Sequence, residues 1–257
     1  MIAIALQSGS NGNCIYVESA GTRLLFDAGI SGLAAERRLA KYGRDIRKVD
    51  AVIISHDHAD HVRCAGVYHR KYRLPIYISR RTFDAAIARC GCFEASEAVH
   101  HFEPGRALRF GAMTVETVPT PHDAAEGVAF VVAAGGKRLG ILTDLGHVFD
   151  GLEELVGSLD AVFVESNYDP DLLDSGPYPA FLKARIRGPR GHISNIEAAQ
   201  LLRASARARR MKWVCLAHLS EENNRPALAL KTHRKIAGGE YRLYAASRYE
   251  PTGVFEI

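Results

Sequence analysis

Ser55-His56-Asp57-His58-Ala59-Asp60-His61 gathers three imidazoles and two carboxylates into one short stretch. Imidazole nitrogen and carboxylate oxygen are the donor set for zinc, manganese or iron, and the stretch holds no sulfur donor, which disfavours a structural cysteine-type zinc site. It follows the apolar run Ala51-Val52-Ile53-Ile54, so a strand delivers the donors onto the loop at its end, where functional groups concentrate. Four donors this close together cannot all reach one ion with tetrahedral geometry. His56 and His58 can point one way, Asp60 and His61 another. Two cations roughly 3.5–4 Å apart would answer that arrangement.

Two cations need further donors, and three more apolar strands end in them. Thr114–Val118 runs into Pro119-Thr120-Pro121-His122, Ile141-Leu142-Thr143 ends in Asp144, and Trp213–Ala217 ends in His218. A single strand-end His or Asp is most often a turn or cap residue; the joint pattern is what points to a metal centre. Two divalent ions lower the pKa of a shared water, giving hydroxide at neutral pH, and stabilise an anionic transition state. Hydrolysis is the expected reaction. The donors alone do not choose between a phosphodiester, a thioester, a lactone and a β-lactam.

The elements that must hold these residues alternate along the chain. Strands are expected at Ile2–Leu6, Cys14–Glu18 and Arg23–Phe26, an antiparallel meander turned at Gly9–Gly12 and Ala20-Gly21. Further strands are expected at Ala51–Ser55, Ile76–Ile78, Thr114–Val118, Val128–Val132, Leu139–Thr143, Ala161–Glu165 and Trp213–Ala217. Helices are expected at Gly32–Tyr42, Val62–Arg73, Arg80–Arg89, Leu152–Val156 and Ile196–Arg209. Ser31 caps the first, and Gly43 stops it. The last opens with the capping box Ser194-Asn195-Ile196-Glu197 and carries an apolar stripe of Ile196, Ala199, Leu202 and Ala206, with Arg203, Arg207 and Arg210 on another face. This order suits sheets packed inside helices.

The 257 residues include 47% hydrophobic and 24% charged residues, enough for a sizeable core in one large domain or two small ones. The formal charge of +4 and a pI near 8.8 are mildly basic, compatible with a polyanionic partner. The five cysteines match no zinc ribbon or disulfide framework, and the Cys90-Gly91-Cys92 pair reads as reduced thiols. No run reaches the ~20 apolar residues of a membrane span, and no basic, signal-like start precedes the first strand. A cytoplasmic location without a membrane partner is the expectation.

The His56–His61 stretch, with His122, Asp144 and His218 following in order, resembles the metallo-β-lactamase superfamily. The resemblance implies a four-layer αββα sandwich with the site at the sheet edges. It implies that His56, His58 and His122 hold one metal, that Asp60, His61 and His218 hold the other, and that Asp144 bridges both. Asp57 would orient a ligand rather than bind. Asp60 and Asp144 make this set richer in oxygen than one with cysteine, which suits phosphodiesters and tolerates manganese as well as zinc, with iron also possible.

A narrower resemblance is to the YycJ/WalJ family. It rests on Ser8-Gly9-Ser10-Asn11-Gly12-Asn13, Phe26-Asp27-Ala28-Gly29, Thr143-Asp144-Leu145-Gly146, Glu165-Ser166-Asn167, Gly191-His192-Ile193-Ser194-Asn195 and His218–Asn224, with Tyr178-Pro179, Leu182-Lys183 and Arg185-Ile186 before the Gly-His motif. It implies metal-dependent nuclease activity, including 5′-to-3′ exonuclease action, with DNA favoured over RNA, on a core similar to RNase J and tRNase Z. The short stretch between Asp144 and His218 has no room for the β-CASP insertion of RNase J, so residues 1–257 are expected to form a single lactamase domain that clamps substrate with loops or with a second subunit, as in a homodimer.

That resemblance makes His192 a proton donor to the leaving oxygen. It also reads as a loop histidine, or as the last metal ligand in place of His218. Glu165 ends a strand and would orient His192 or His61, unless it is an ordinary strand-end acid. Ser10, Asn11 and Asn13 could offer donors to phosphate from their turn, which also reads as an ordinary hairpin. Lys183, Arg185, Arg187 and Arg190 form a local positive cluster that either holds a nucleic-acid backbone or is a solvated helix face. Two other readings stand beside the nuclease: a hydrolase of cyclic phosphodiesters, thioesters or lactones, and a non-catalytic metal-binding regulator, against which the complete donor set argues.

Overall fold

The computed structural model describes residues 1–90, 98–205, 211–238 and 241–257, the side chains of 88–90 excepted. Two seven-stranded sheets face each other. The first has the order β14-β1-β2-β3-β4-β5-β6, with β1 Ile2–Gln7, β2 Cys14–Ser19, β3 Thr22–Phe26, β4 Ala51–Ile53, β5 Ile76–Ser79, β6 Val99–Phe102 and β14 Phe255–Glu256. The second has the order β13-β12-β11-β10-β9-β8-β7, with β7 Ala107–Phe110, β8 Met113–Pro119, β9 Val128–Ala134, β10 Lys137–Leu142, β11 Ala161–Glu165, β12 Trp213–Ala217 and β13 Arg242–Ala245. β1 to β3 are antiparallel, as the meander predicts, and β3 to β6 run parallel. In the second sheet β10 to β13 are parallel.

The layers follow from which faces are apolar. Ile15, Phe26 and Ile53 meet Val115, Phe130 and Phe163 between the sheets. The outer face of the first sheet packs under α1 (Gly32–Ala40) and α3 (Ala65–Tyr72), through Ala35, Leu39 and Tyr68. That of the second packs under α5 (Leu152–Gly157), α8 (Asn195–Ala204) and α9 (Pro226–Ala237), through Val156, Leu202 and Ala229. The result is the expected αββα sandwich. Strand β11 is buried along its whole length, as a central parallel strand covered on both faces must be, whereas β8 alternates buried and half-buried residues.

Several expected elements differ. The single helix expected over Val62–Arg73 is two, α2 (Ala59–Val62) and α3, so Asp60 and His61 sit on a helical turn rather than a loop. Tertiary bonds cause the break: Ala28 N–H donates to His61 O at 2.7 Å and Cys64 N–H to Ala28 O at 3.0 Å. Ile196 is 39% exposed; the buried face of α8 is Ala198, Ala199, Leu201 and Leu202. Ala206, Arg207, Arg210 and the side chains of the Cys90–Cys92 pair lie outside the described residues. Among the described residues no helix is long and apolar enough to cross a membrane.

Candidate metal centre

The floor of the site forms where the carboxyl ends of strands from both sheets meet. On the first sheet, β4 delivers Ser55 to His61, and the turn after β3 clamps them. Asp27, in left-handed backbone (φ 64°), accepts from Ser55 N–H at 2.8 Å and Ser55 Oγ–H at 3.0 Å, and its Oδ2 lies 2.7 Å from His61 Nδ1. Gly29 is required by close approach: a Cβ there would sit 1.6 Å from Asp60 O. Asn13 N–H donates to that same carbonyl at 2.7 Å, and its side-chain amide reaches Asp60 Oδ2 at 3.2 Å and His61 Nε2 at 2.9 Å.

The second sheet supplies the rest. His122, on the β8–β9 loop, has Nδ1 2.8 Å from Gly191 O, which fixes its proton there and aims Nε2 inward. Asp144 follows β10 and His218 follows β12, both in left-handed backbone (φ 57° and 53°). Outside glycine such backbone costs about 1–3 kcal/mol and gathers at functional sites. His218 N–H is held by Ser8 Oγ at 2.9 Å, and Asn167 Nδ2 donates to its carbonyl at 2.8 Å.

All seven residues expected as ligands converge. The donor atoms of His56, His58 and His122 lie within 4.8 Å of one another, as do those of Asp60, His61 and His218. Asp144 lies between, with Oδ2 3.3 Å from His61 Nε2, and Oδ1 3.7 Å from His122 Nε2 and 3.6 Å from His218 Nε2. His58 Nδ1 and His122 Nε2 face each other at 3.2 Å. Among the described residues, His56 Nε2 and Asp144 Oδ2 are buried with no hydrogen-bond partner. An unsatisfied buried lone pair is costly, and here two of them point into a cage of like donors. The donor set and its open atoms fit divalent cations.

Charge divides the cage. Burial, with His61 beside it, holds His56 well below the usual imidazole range, and burial lowers His122 as well. Burial would lower His61 and His218 too. Asp144, Asp27 and Asp60 overcome it at His61, and Asp144, Asp60 and Glu165 overcome it at His218, holding both above the usual range. Against the burial that would raise it, the surrounding histidines keep Asp144 ionised.

The remaining expected residues divide. His192 Nδ1 lies 2.6 Å from Glu165 Oε1, and the ring lines the cleft. Glu165 therefore serves His192 and not His61, whose partner is Asp27. Glu165 Oε2 also accepts from Leu145 N–H at 3.0 Å. His218 rather than His192 approaches Asp60, at 3.2 Å. The Asp57 carboxylate accepts from Ala125 N–H at 2.9 Å, steadying the loop that carries His122.

A cleft of about 330 Å³ opens above the cage, and Ser10 and Arg185 line it. Asn11 and Lys183 do not. Asn11 Nδ2 is turned to Arg248 O at 3.1 Å, and Lys183 Nζ to Asp174 O at 2.8 Å, facing α6 (Pro170–Ser175). Asn13 is spent beneath the ligands. The positive cluster is largely paired: Arg185 with Asp123 at 2.5 Å, and Arg187 with Asp174. Arg185 belongs to α7 (Ala180–Arg187), a helix as one reading of the cluster has it, whereas α6 and α9 are not among the expected helices. No role is expected from the sequence for Asp27 or Asp123. Asp27 does carry two signals, its place directly after an apolar strand and in the Phe26-Asp27-Ala28-Gly29 motif.

Behind His218 lies a second buried polar group. Ser166 Oγ–H donates to Asn195 Oδ1 at 2.6 Å and meets His233 Nε2 at 3.2 Å. Asn224 Nδ2 donates to Ser166 O, Asn167 O and Asn195 Oδ1 at 2.9–3.0 Å. This ties the end of β11 to α8, α9 and the loop after His218.

Residues 22–215 match the family model described as a beta-lactamase superfamily domain. The chain is 36% identical to exodeoxyribonuclease WalJ of Streptococcus pneumoniae (strain D39), over 98% of this chain and 96% of that one. It is 36% identical to exodeoxyribonuclease YycJ of Bacillus anthracis, over 87% and 84%. Among solved structures, the metallo-β-lactamase fold protein YhfI from Bacillus subtilis superposes with a TM-score of 0.74 at 18% identity, covering 99% of this chain and 98% of that one, which bears on the fold.

Proposed function

The chain belongs to the metallo-β-lactamase superfamily, in the family of WalJ and YycJ; from that premise we propose that it is a metal-dependent exodeoxyribonuclease, removing nucleotides from a DNA end with 5′-to-3′ polarity. One observation carries the reading. A chain similar end to end to exodeoxyribonucleases closes its cleft floor with the seven convergent donors, two of which have buried atoms without a hydrogen-bond partner among the described residues.

In this reading His56, His58 and His122 would hold one divalent ion and Asp60, His61 and His218 a second, with Asp144 within reach of both groups. Nitrogen and oxygen donors without sulfur suit zinc or manganese. When bound, the ions supply Lewis-acid stabilisation of charge on the phosphodiester and lower the pKa of water beside it. The protein's own residues do the rest. Glu165 accepts the Nδ1 proton of His192; in its imidazolium form the ring carries a second proton, on Nε2, which it hands to the leaving oxygen, ending as the neutral Nδ1–H tautomer. Asp27, Gly191 O and Asn167 keep the ligand rings from turning. Arg185, steadied by Asp123, offers its remaining N–H groups to a backbone phosphate. The residues from 1 to 257 act as one lactamase domain without a β-CASP insertion, and the work on DNA is cytoplasmic.

The test is to incubate the protein and its Asp60→Ala/His61→Ala variant with end-labelled single- and double-stranded DNA and RNA, with manganese or zinc. Metal-dependent release of nucleotides from DNA by the unaltered protein alone is expected. Inactivity on every polymer, with turnover of bis-p-nitrophenyl phosphate or a thioester, would overturn it.

A further inference from the structure

Phe181 is 75% exposed, the most exposed of the large hydrophobic side chains described. Helix α7 packs without it: Ile186 is buried and, with Leu182 and Tyr178, joins Tyr168 and Leu173 beneath the helix. Folding does not account for an aromatic ring held in water here. Its place does. Tyr178, three residues before it, and Arg185, four after, both line the cleft over the metal centre, as does Leu182 beside it. Phe181 and Arg185, both on α7 and four residues apart, share a helix face, and Tyr178 precedes the helix. Phe181 therefore stands at the rim of the cleft, on the helix face of the arginine fixed by Asp123.

We propose that Phe181, with Tyr178 behind it, is a stacking step that grips an unpaired nucleobase at the DNA end while the phosphate below it enters the cleft; this rests on the nuclease reading above. A protein or membrane partner would be met by a patch of apolar groups. Phe181 is instead solitary on α7: the other exposed large hydrophobics described, such as Leu33, Ile87 and Tyr244, lie on other elements. A lone ring beside a cation matches the alternation of base and phosphate in a single strand. Every base has a π-face, so such a step grips without reading sequence, as an exonuclease requires. A base in a duplex is already stacked and paired, so the step also favours single-stranded or frayed ends.

The test compares the unaltered protein with Phe181→Ala, Phe181→Leu and Phe181→Trp on single-stranded oligonucleotides, and on the same strands with abasic sites at the attacked end. For Phe181→Ala we expect KM on normal DNA to rise on the order of 5- to 150-fold with kcat nearly unchanged. Leucine should not restore it; tryptophan should. On abasic ends the unaltered protein should fall to the level of the alanine variant. Equal KM for both proteins on normal DNA would overturn the proposal, as would an undiminished difference on abasic ends, which would mark a structural role. If the unaltered protein degrades no DNA yet hydrolyses bis-p-nitrophenyl phosphate, the nuclease reading itself has failed and the stacking step with it. If it degrades DNA and Phe181→Ala does so equally well, the stacking step alone has failed.

Discussion

Two buried polar groups lie side by side under the carboxyl ends of the second sheet, and they are built in opposite ways. The Ser166, Asn195, Asn224 and His233 group is closed: amides and hydroxyl bond to one another and to the nearby backbone, with His233 Nδ1 the atom left without a partner. The His and Asp cage beside it is open: it points bare nitrogen and carboxylate atoms at one another across 3.2–3.7 Å. A closed network fixes the elements around it. An open one is complementary to something the chain does not contain. They are joined by Asn167, whose carbonyl receives Asn224 and whose side-chain amide holds His218.

The sharpest test of this contrast is Asp144→Ala. It removes the carboxylate between the two clusters and should lower kcat/KM on DNA by on the order of 10³-fold or more, with the protein still folded by circular dichroism. A smaller loss would mean that the cage is not the working centre. Asp27→Asn should be felt next, as on the order of a 10- to 100-fold loss of metal affinity, read by metal analysis after dialysis. The deficit should be confined to one ion per chain, since Asp27 supports His61.

Asn224→Ala attacks the closed group instead. We expect about 1–3 kcal/mol less stability in urea, from the buried partners left unpaired, with the activity of the metal-loaded, folded protein retained. A kcat that fell in parallel would erase the distinction between the regions. The smallest effect concerns His233. Burial lowers its pKa to about 4, so the unfolded chain takes up a proton near pH 6.5 that the folded chain refuses. The stability it contributes is full above pH ~6.5 and is lost as the pH falls from there toward 4, about 1 kcal/mol of it by pH 5.5. The His233→Gln variant should show a flatter stability curve over that range in otherwise identical urea titrations.

Much of the cage was legible because parallel strands deliver side chains at their carboxyl ends: an apolar run followed by Asp144 or His218 is a local pattern. The His56–His61 stretch was legible for the same reason. Asp27 was not, because its bond to His61 depends on a left-handed turn and on the packing of β3 beside β4. The split between α2 and α3 was hidden likewise, since Ala28, far away in sequence, takes the backbone groups that would have continued the helix. Helices α6 and α9 did carry a local sign, a proline at the first helical position in Asp169-Pro170 and Arg225-Pro226. The place of α7 over the cleft, and hence of Phe181 and Arg185, follows only from the tertiary fold.

The candidate ligands come from both sheets: His56, His58, Asp60 and His61 from the first, His122, Asp144 and His218 from the second. A cation held by both would be a removable staple between the halves of the sandwich, closing loops of chain as a disulfide does. Bound metal would then act on the lifetime of the folded state as well as on the reaction. The sheets could not part until the ion left, and a chain that lost its metal would open sooner.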